Sequence, residues 1–149
     1  VAGALGCPSN SNVGLSVQNT CNGRWDRLTK VRRSIVIVFS GGEIGQPSDY
    51  DATIPANKRS EVLQASRGSI AVRLADLNGN PLPSGSSIVA EVIDPDEGGC
   101  AATLPDSVIG NTPEPTTHAA SLVSCNGDET VNFKVTVGSK VSVLSVRVP

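Results

Sequence analysis

The sequence predicts an all-β protein built as an antiparallel sandwich of about seven strands, with a disulfide-tied N-terminal segment. Hydrophobic residues make up 38% of the 149-residue chain but aromatic residues only 3%, so the core must consist of aliphatic side chains. Val is prominent among them, and β-branched residues favour strands over helices. Fifteen Gly and ten Pro indicate many short elements joined by turns. A chain of this length is expected to form one hydrophobic core.

The N-terminal part of the chain differs in composition from the rest. Residues 1–29 are rich in Ser, Asn and Gly without periodicity, which predicts a Cys-bounded, loop-rich segment ahead of a sandwich domain at 30–149. Residues 31–39 form a largely unbroken β-branched run, typical of a strand buried on both faces. From 40 to 67 the chain is polar, and only residues 61–64 hint at a short strand.

Two segments in the middle of the chain are predicted strands joined by a loop. Residues 69–74 alternate in polarity, which places Ile70, Val72 and Leu74 on one face. The loop at 76–85 contains Asn-Gly, which supplies a positive φ, and two prolines that fix φ near −65°. Residues 87–93 form the strand that follows it.

The C-terminal third predicts a weaker strand at 119–124 and then a hairpin. Residues 130–137 show the clearest alternation, Gly138-Ser139 has the chemistry of a two-residue hairpin turn, and 141–148 returns as the last strand. The predicted inward-facing residues of this hairpin are Val131, Phe133, Val135, Val137, Leu144, Val146 and Val148. Strands with one apolar face bury it by stacking as two sheets, which predicts a sandwich.

Four cysteines are present, Cys7, Cys21, Cys100 and Cys125, and they permit three pairings. We predict Cys7–Cys21 and Cys100–Cys125, because each closes a Gly- and Asn-rich loop with little apolar surface of its own. Structural zinc sites are the alternative, but they use close C-x(2–4)-C pairs, which the chain lacks. Disulfides imply an oxidising compartment such as a periplasm or the cell exterior.

The charge pattern argues against two classes of partner. The net charge of −2 gives no basic field for nucleic acid or an acidic membrane surface. A basic cluster is interpreted as a solvated stretch that leads into a strand; it comprises Arg24, Arg27, Lys30, Arg32 and Arg33. No apolar run approaches the roughly eighteen residues needed to span a bilayer, so no membrane span is predicted in this segment.

No catalytic motif is present, and the chain is predicted not to be an enzyme and to carry no cofactor. The sole histidine, His118, lies in a Pro- and Thr-rich stretch and is expected to be a solvated loop residue. The chain contains no G-x-S-x-G elbow, no P-loop and no H-E-x-x-H sequence.

Calcium and a partner-binding tryptophan are alternatives left open. Carboxylates that could meet a hard cation occur at Asp76, at Asp49 and Asp51 beside Tyr50, and at Asp94, Asp96 and Glu97. The twelfth position counted from Asp76 is Ser87 rather than the Glu of an EF-hand, which favours ordinary turns and a solubilising loop. Trp25 is predicted to plug the end of an aromatic-poor core rather than to anchor a partner.

One loop resembles a known family. The sequence Asp76-Leu77-Asn78-Gly79-Asn80-Pro81-Leu82-Pro83-Ser84-Gly85-Ser86, set between two strands, is similar to the D-x-N-G-N-P-x-P-x-G signature of bacterial immunoglobulin-like domains of the invasin and intimin type. The resemblance extends over residues 31–149, although the extra cysteines and the stretch from 94 to 111 depart from it. It implies an immunoglobulin-like fold.

The resemblance also implies a function. A structural or adhesive module of an exported bacterial cell-surface protein is expected, with neighbouring domains of the same chain and a host or cell-surface protein or glycan as partners. The alternative is a sandwich that binds a carbohydrate or protein ligand through its end loops. An aromatic platform for sugars would be small here, since the chain has one Trp, one Tyr and two Phe.

Overall fold

The computed structural model describes residue 37 and residues 39–93 and 99–149, and this part of the chain is all-β. Its strands are β1 (Glu61–Ala65), β2 (Ser69–Leu74), β3 (Ser87–Ile93), β4 (Ala101–Thr103), β5 (Thr116–Val123), β6 (Thr130–Val137) and β7 (Lys140–Arg147). Within the described ranges the helical structure is a single 3-10 turn, Ala56–Lys58. None of the helical structure found there has the length and apolarity that a bilayer span requires.

The strands form two antiparallel sheets. One sheet has the order β1-β2-β5-β4 and the other the order β3-β6-β7. If the seven strands are lettered A to G along the chain, these orders become A-B-E-D and C-F-G, which is the arrangement of a constant-type immunoglobulin domain. The predicted immunoglobulin-like sandwich of about seven strands is therefore confirmed.

The core lies between the sheets and is aliphatic around one aromatic ring. Strand β6 is central in its sheet, and its Val131, Phe133 and Val135 are fully buried. Other core residues are Ile70, Val72, Leu74, Ile88, Ala120, Leu122, Leu144, Val146 and Val148, with Ile44, Leu82 and Ile109 from the connecting segments. The inward faces predicted from alternation are confirmed, and Val137 packs partly buried against the same cluster.

The sandwich has two ends, which we call the upper and lower ends. The upper end carries the β2–β3 loop (residues 75–86) and the two-residue β6–β7 turn, which is confirmed at Gly138-Ser139. The lower end carries the β1–β2 turn (66–68) and the β5–β6 loop (124–129). The described chain crosses from one end to the other: Asn80 Nδ2 donates to Phe39 O at the upper end, and Arg67 Nε donates to Pro149 O at the lower end.

The edge strands β1 and β7 each have a feature that hinders pairing with a further strand. The segment before β1 runs beside the upper half of β7, where Ile44 N donates to Ser142 Oγ and Gln46 Nε2 donates to Val143 O. Strand β1 is interrupted at Leu63, where its register with β2 shifts. Bulges of this kind disrupt the ladder of an edge strand.

Parts of the predicted strand pattern need correction. Ile37 and Phe39, the end of the strand predicted at 31–39 to be buried on both faces, are exposed and lie outside any strand. The rest of that strand and the boundary predicted between 29 and 30 lie outside the described residues. Strand β4 was not predicted, because three residues are too few to show alternation.

Candidate functional site

The carboxylate of Asp76 organises the upper end. Asp76 is only 1% exposed, and its Oδ2 accepts a hydrogen bond from Gly41 N at 2.6 Å. Its Oδ1 accepts from Asn78 N at 2.9 Å and from Asn80 N at 2.8 Å. The carboxylate of Asp76 therefore stabilises its own loop and joins that loop by a hydrogen bond to the segment that lies beside β7.

The Asn-Gly step in this loop behaves as the sequence predicts. Gly79 has a φ of +77°, and a Cβ at this position would come within 2.8 Å of Ile54 Cγ2. Its N–H donates to Asp76 O at 3.0 Å, which closes the turn. The turn interpretation favoured for this sequence accounts for the loop without a calcium ion.

The acidic pair beside Tyr50 also has local structural roles. Asp51 Oδ1 accepts from Thr53 N at 2.8 Å, and the hydrogen bonds from Thr53 hold the pKa of Asp51 below its ordinary value. Tyr50 is anchored by its hydroxyl, which accepts from Ser60 N at 2.9 Å. In the described ranges, neither Asp49 nor Asp51 belongs to a close group of three metal-binding side chains.

An exposed aromatic ring borders a groove at the upper end. Phe39 is 82% exposed, and it lines a cavity of about 420 Å³ together with Pro81, Pro83 and Asn111. Phe39 and the two prolines give this groove an apolar part of its lining. This groove is the feature of the described chain that best suits a ligand held by end loops.

The histidine lies in an unexpected environment. His118 was predicted to be a solvated loop residue, and this prediction is wrong: it lies on β5, opposite Val72 of β2, and is 4% exposed. Its Nε2 lies 2.8 Å from Thr116 Oγ1, whereas its Nδ1 is buried without a hydrogen-bond partner. The alternating pattern of β5 begins at Thr116, before the apolar residues that indicated a strand from 119.

Burial sets the electrostatic behaviour of His118. Desolvation lowers its pKa below the ordinary value of 6.5, and the negative charge of Asp106 opposes this shift in part. His118 and Asp106 border an open groove of about 470 Å³ whose other acidic residue is Glu114. Glu114 forms an ion pair with Lys58, so it is already neutralised. Thr116 also lines the groove, and its hydroxyl is the group in hydrogen-bond contact with His118 Nε2.

The disulfide predicted between Cys100 and Cys125 is confirmed, and it closes the lower end of the β4–β5 pair. The two Cα atoms are 4.4 Å apart, and the bond spans 25 residues of sequence. Ala101 pairs with Val123, so the disulfide lies one step beyond the last rung of that ladder. It clamps a strand of only three residues to the β5–β6 loop.

A buried carboxylate lies beside this disulfide. Glu129 is 3% exposed, and its two oxygens accept from Asn126 N and Gly127 N, each at 2.9 Å. The bond from Asn126 is the main cause of a lowered pKa for Glu129, with smaller contributions from Gly127 and from the charge of Arg67. Glu129 was not predicted as a site residue, although its position directly before the strongest alternating strand was an available signal.

Several predicted residues lie outside the described residues, namely Cys7, Cys21, Trp25, Asp94, Asp96 and Glu97. Their predicted pairing and roles stay predictions. Where the chain is described, Cys100, Cys125 and Glu129 form the one close group of three potential metal-binding side chains.

Comparison with protein-family models, curated proteins and solved structures found no match. The class of protein is therefore defined by its fold, a seven-stranded immunoglobulin-like sandwich with a disulfide at its lower end.

Proposed function

We propose that the chain is a non-catalytic structural and adhesive module of the invasin and intimin type, from an exported bacterial cell-surface protein. The observation that carries this proposal is the path of the chain between opposite ends of the sandwich. Phe39 accepts a hydrogen bond from Asn80 at the upper end, and Pro149 accepts one from Arg67 at the lower end. A force that pulls Phe39 and Pro149 apart therefore acts along the direction of the strands.

The contacts beside β7 suit such a load. Ile44 and Gln46 bond to Ser142 and Val143 respectively, so the segment and β7 run in the same direction. Tension on Phe39 and Pro149 then shears these contacts together with the bond from Gly41 to Asp76. Bonds loaded in parallel share the force, whereas bonds peeled one at a time do not.

Single-molecule pulling tests the mechanical part of the proposal. The chain attached at Phe39 and Pro149 is expected to unfold at higher force than the same chain attached at Phe39 and Ser139, which are both at the upper end. The disulfide should also keep its 25-residue loop from being extended by the force. On unfolding, a Cys100→Ser, Cys125→Ser variant should therefore lengthen by about 90 Å more than the parent chain. Equal forces in the two attachments would contradict the proposed spacer role.

The cellular part needs a separate test. Disulfides persist in oxidising compartments, and Cys100–Cys125 is consistent with an exported domain. Protease treatment of intact source cells should remove the parent protein from immunoblots and leave a cytoplasmic control protein whole. Protection of the protein until the cells are lysed would contradict surface exposure.

A second candidate function is favoured by the groove at Phe39. An 82% exposed aromatic ring beside Pro81 and Pro83 suits a carbohydrate or protein ligand bound by the end loops. Glycan-array or peptide-array binding that is lost in Phe39→Ala but kept in Val123→Ala, an exposed residue of β5, would favour this function over the spacer.

A further inference from the structure

Cys100, Cys125 and Glu129 bring three potential ligand atoms together at the lower end. The two Sγ atoms and a carboxylate oxygen all lie within 4.8 Å of one another. We propose that these residues bind one Zn²⁺ ion when the disulfide is reduced, and that oxidation to the disulfide expels the ion. This proposal does not depend on the proposed function.

The ligand chemistry fits zinc. Zn²⁺ binds thiolate sulfur at about 2.3 Å and carboxylate oxygen at about 2.0–2.2 Å in tetrahedral sites, which places ligand atoms roughly 3.5–3.8 Å apart. Once the sulfur–sulfur bond is broken, the two sulfurs must separate and the carboxylate must approach them by about an ångström. We expect side-chain rotations of Cys100 and Cys125 to provide changes of this size.

Contacts other than the disulfide also position the three ligands. Glu129 is fixed by the N–H groups of Asn126 and Gly127, which leave further lone pairs on each oxygen. Hydrogen bonds of this kind to a ligating carboxylate commonly orient it toward a metal. The β4–β5 ladder, ending at the Ala101–Val123 pair, keeps the two cysteines adjacent.

Charge and access also suit a cation. Two thiolates and one carboxylate carry three negative charges, so a site with Zn²⁺ keeps one, and Arg67 is close enough to Glu129 for its positive charge to act on the site. Cys100 and Glu129 are buried, whereas Cys125 is partly exposed and would give the ion its entry path. Three protein ligands with one open position is an established zinc arrangement.

The redox step requires an external thiol couple. A dithiol reductant transfers two electrons and two protons to the disulfide, yielding the two cysteine thiols and the oxidised reductant. Zn²⁺ binding then releases two protons from the thiols. In reverse, an external disulfide accepts two electrons from the bound thiolates and two protons from solvent, the Cys100–Cys125 bond forms and Zn²⁺ leaves.

The test is zinc binding by the full chain in a Cys7→Ser, Cys21→Ser background, so that only one pair of cysteines is titrated. After reduction and removal of the reductant under anaerobic conditions, competition with a chromophoric chelator should show one Zn²⁺ bound per chain. The oxidised chain should bind none. Co²⁺ in place of Zn²⁺ should give the near-ultraviolet charge-transfer band of cobalt–thiolate bonds.

Two variants separate the three-ligand site from simple thiol binding. Glu129→Gln should weaken Zn²⁺ binding at least about tenfold, the scale on which ligand-environment changes act. Asp128→Asn is the matched control, because this neighbouring carboxylate is exposed and bonds to Arg147 instead. The proposal is overturned if Glu129→Gln leaves the affinity for Zn²⁺ unchanged. It is also overturned if the reduced parent chain shows no cobalt–thiolate band, a result that does not depend on how the variant folds.

Discussion

Replacing Asp76 by Ala removes the acceptor for three backbone N–H groups at once. Gly41, Asn78 and Asn80 all donate to this buried carboxylate. Alanine leaves these donors with no partner on the protein and releases the segment beside β7. Asp76→Asn keeps one oxygen, which can serve the two donors of the loop, but it turns an amide N–H₂ toward the N–H of Gly41.

The expected size follows from the exposure of the three donors. A hydrogen bond to a charged group contributes about 1.5–3 kcal/mol, and an unsatisfied buried donor costs a similar amount. Because Asn78 is exposed, water can replace its bond, whereas Gly41 and Asn80 are half-buried. We expect Asp76→Ala to lower the free energy of unfolding by about 3 kcal/mol, and Asp76→Asn by about half as much.

Far-UV circular dichroism during thermal and urea unfolding measures these changes. For a domain of this size about 1 kcal/mol corresponds to roughly 4 °C, so Asp76→Ala should melt roughly 12 °C lower. Asp49→Ala is the matched control, since this exposed carboxylate is bonded only by its neighbour Ser48 among the described contacts, and it should stay within about 0.5 kcal/mol. A loss below 0.5 kcal/mol in Asp76→Ala would refute the reasoning, and a melting temperature lowered by EDTA would show that a cation shares the carboxylate.

Three further predictions concern titration and the disulfide. Burial lowers the pKa of His118 in the folded state, so the contribution of the neutral histidine to the free energy of unfolding should be fully present above the ordinary pKa of 6.5 and should decline as pH falls below it. In a profile of melting temperature against pH, His118→Leu should flatten this decline. The pKa of Glu129 is lowered in the folded state, so its contribution to the free energy of unfolding should be fully present above pH 4.5 and lost as pH falls through the folded pKa. The pH profile of Glu129→Gln should lack this loss. Opening the 25-residue loop by Cys100→Ser, Cys125→Ser should cost about 3.5 kcal/mol in urea unfolding, and a change below 1 kcal/mol would contradict the chain-entropy argument.

The β-sandwich was predictable because its main strands alternate strictly. Val131, Phe133 and Val135 mark their buried face by spacing alone, and so do Ile70, Val72 and Leu74. The Asn-Gly loop and the Gly138-Ser139 turn were predictable for a related reason, since few residues tolerate their backbone angles.

What could not be predicted depends on contacts distant in sequence. Polar residues gave His118 the local pattern of a loop, and only pairing with β2 places it in an interior row. The exposure of Phe39 arises because the chain there follows the upper end instead of entering a sheet. Glu129 is buried because loop N–H groups converge on it, which no spacing of apolar residues signals.

The bulge at Leu63 and the side-chain bonds of Gln46 to β7 have a consequence for how copies of the domain tolerate crowding. A sheet whose border is uninterrupted invites another chain to add a strand, which is the route to aggregation. Here a foreign strand would meet a shifted register on β1 and an occupied carbonyl on β7. Strand addition between neighbouring copies should therefore be disfavoured at these two borders.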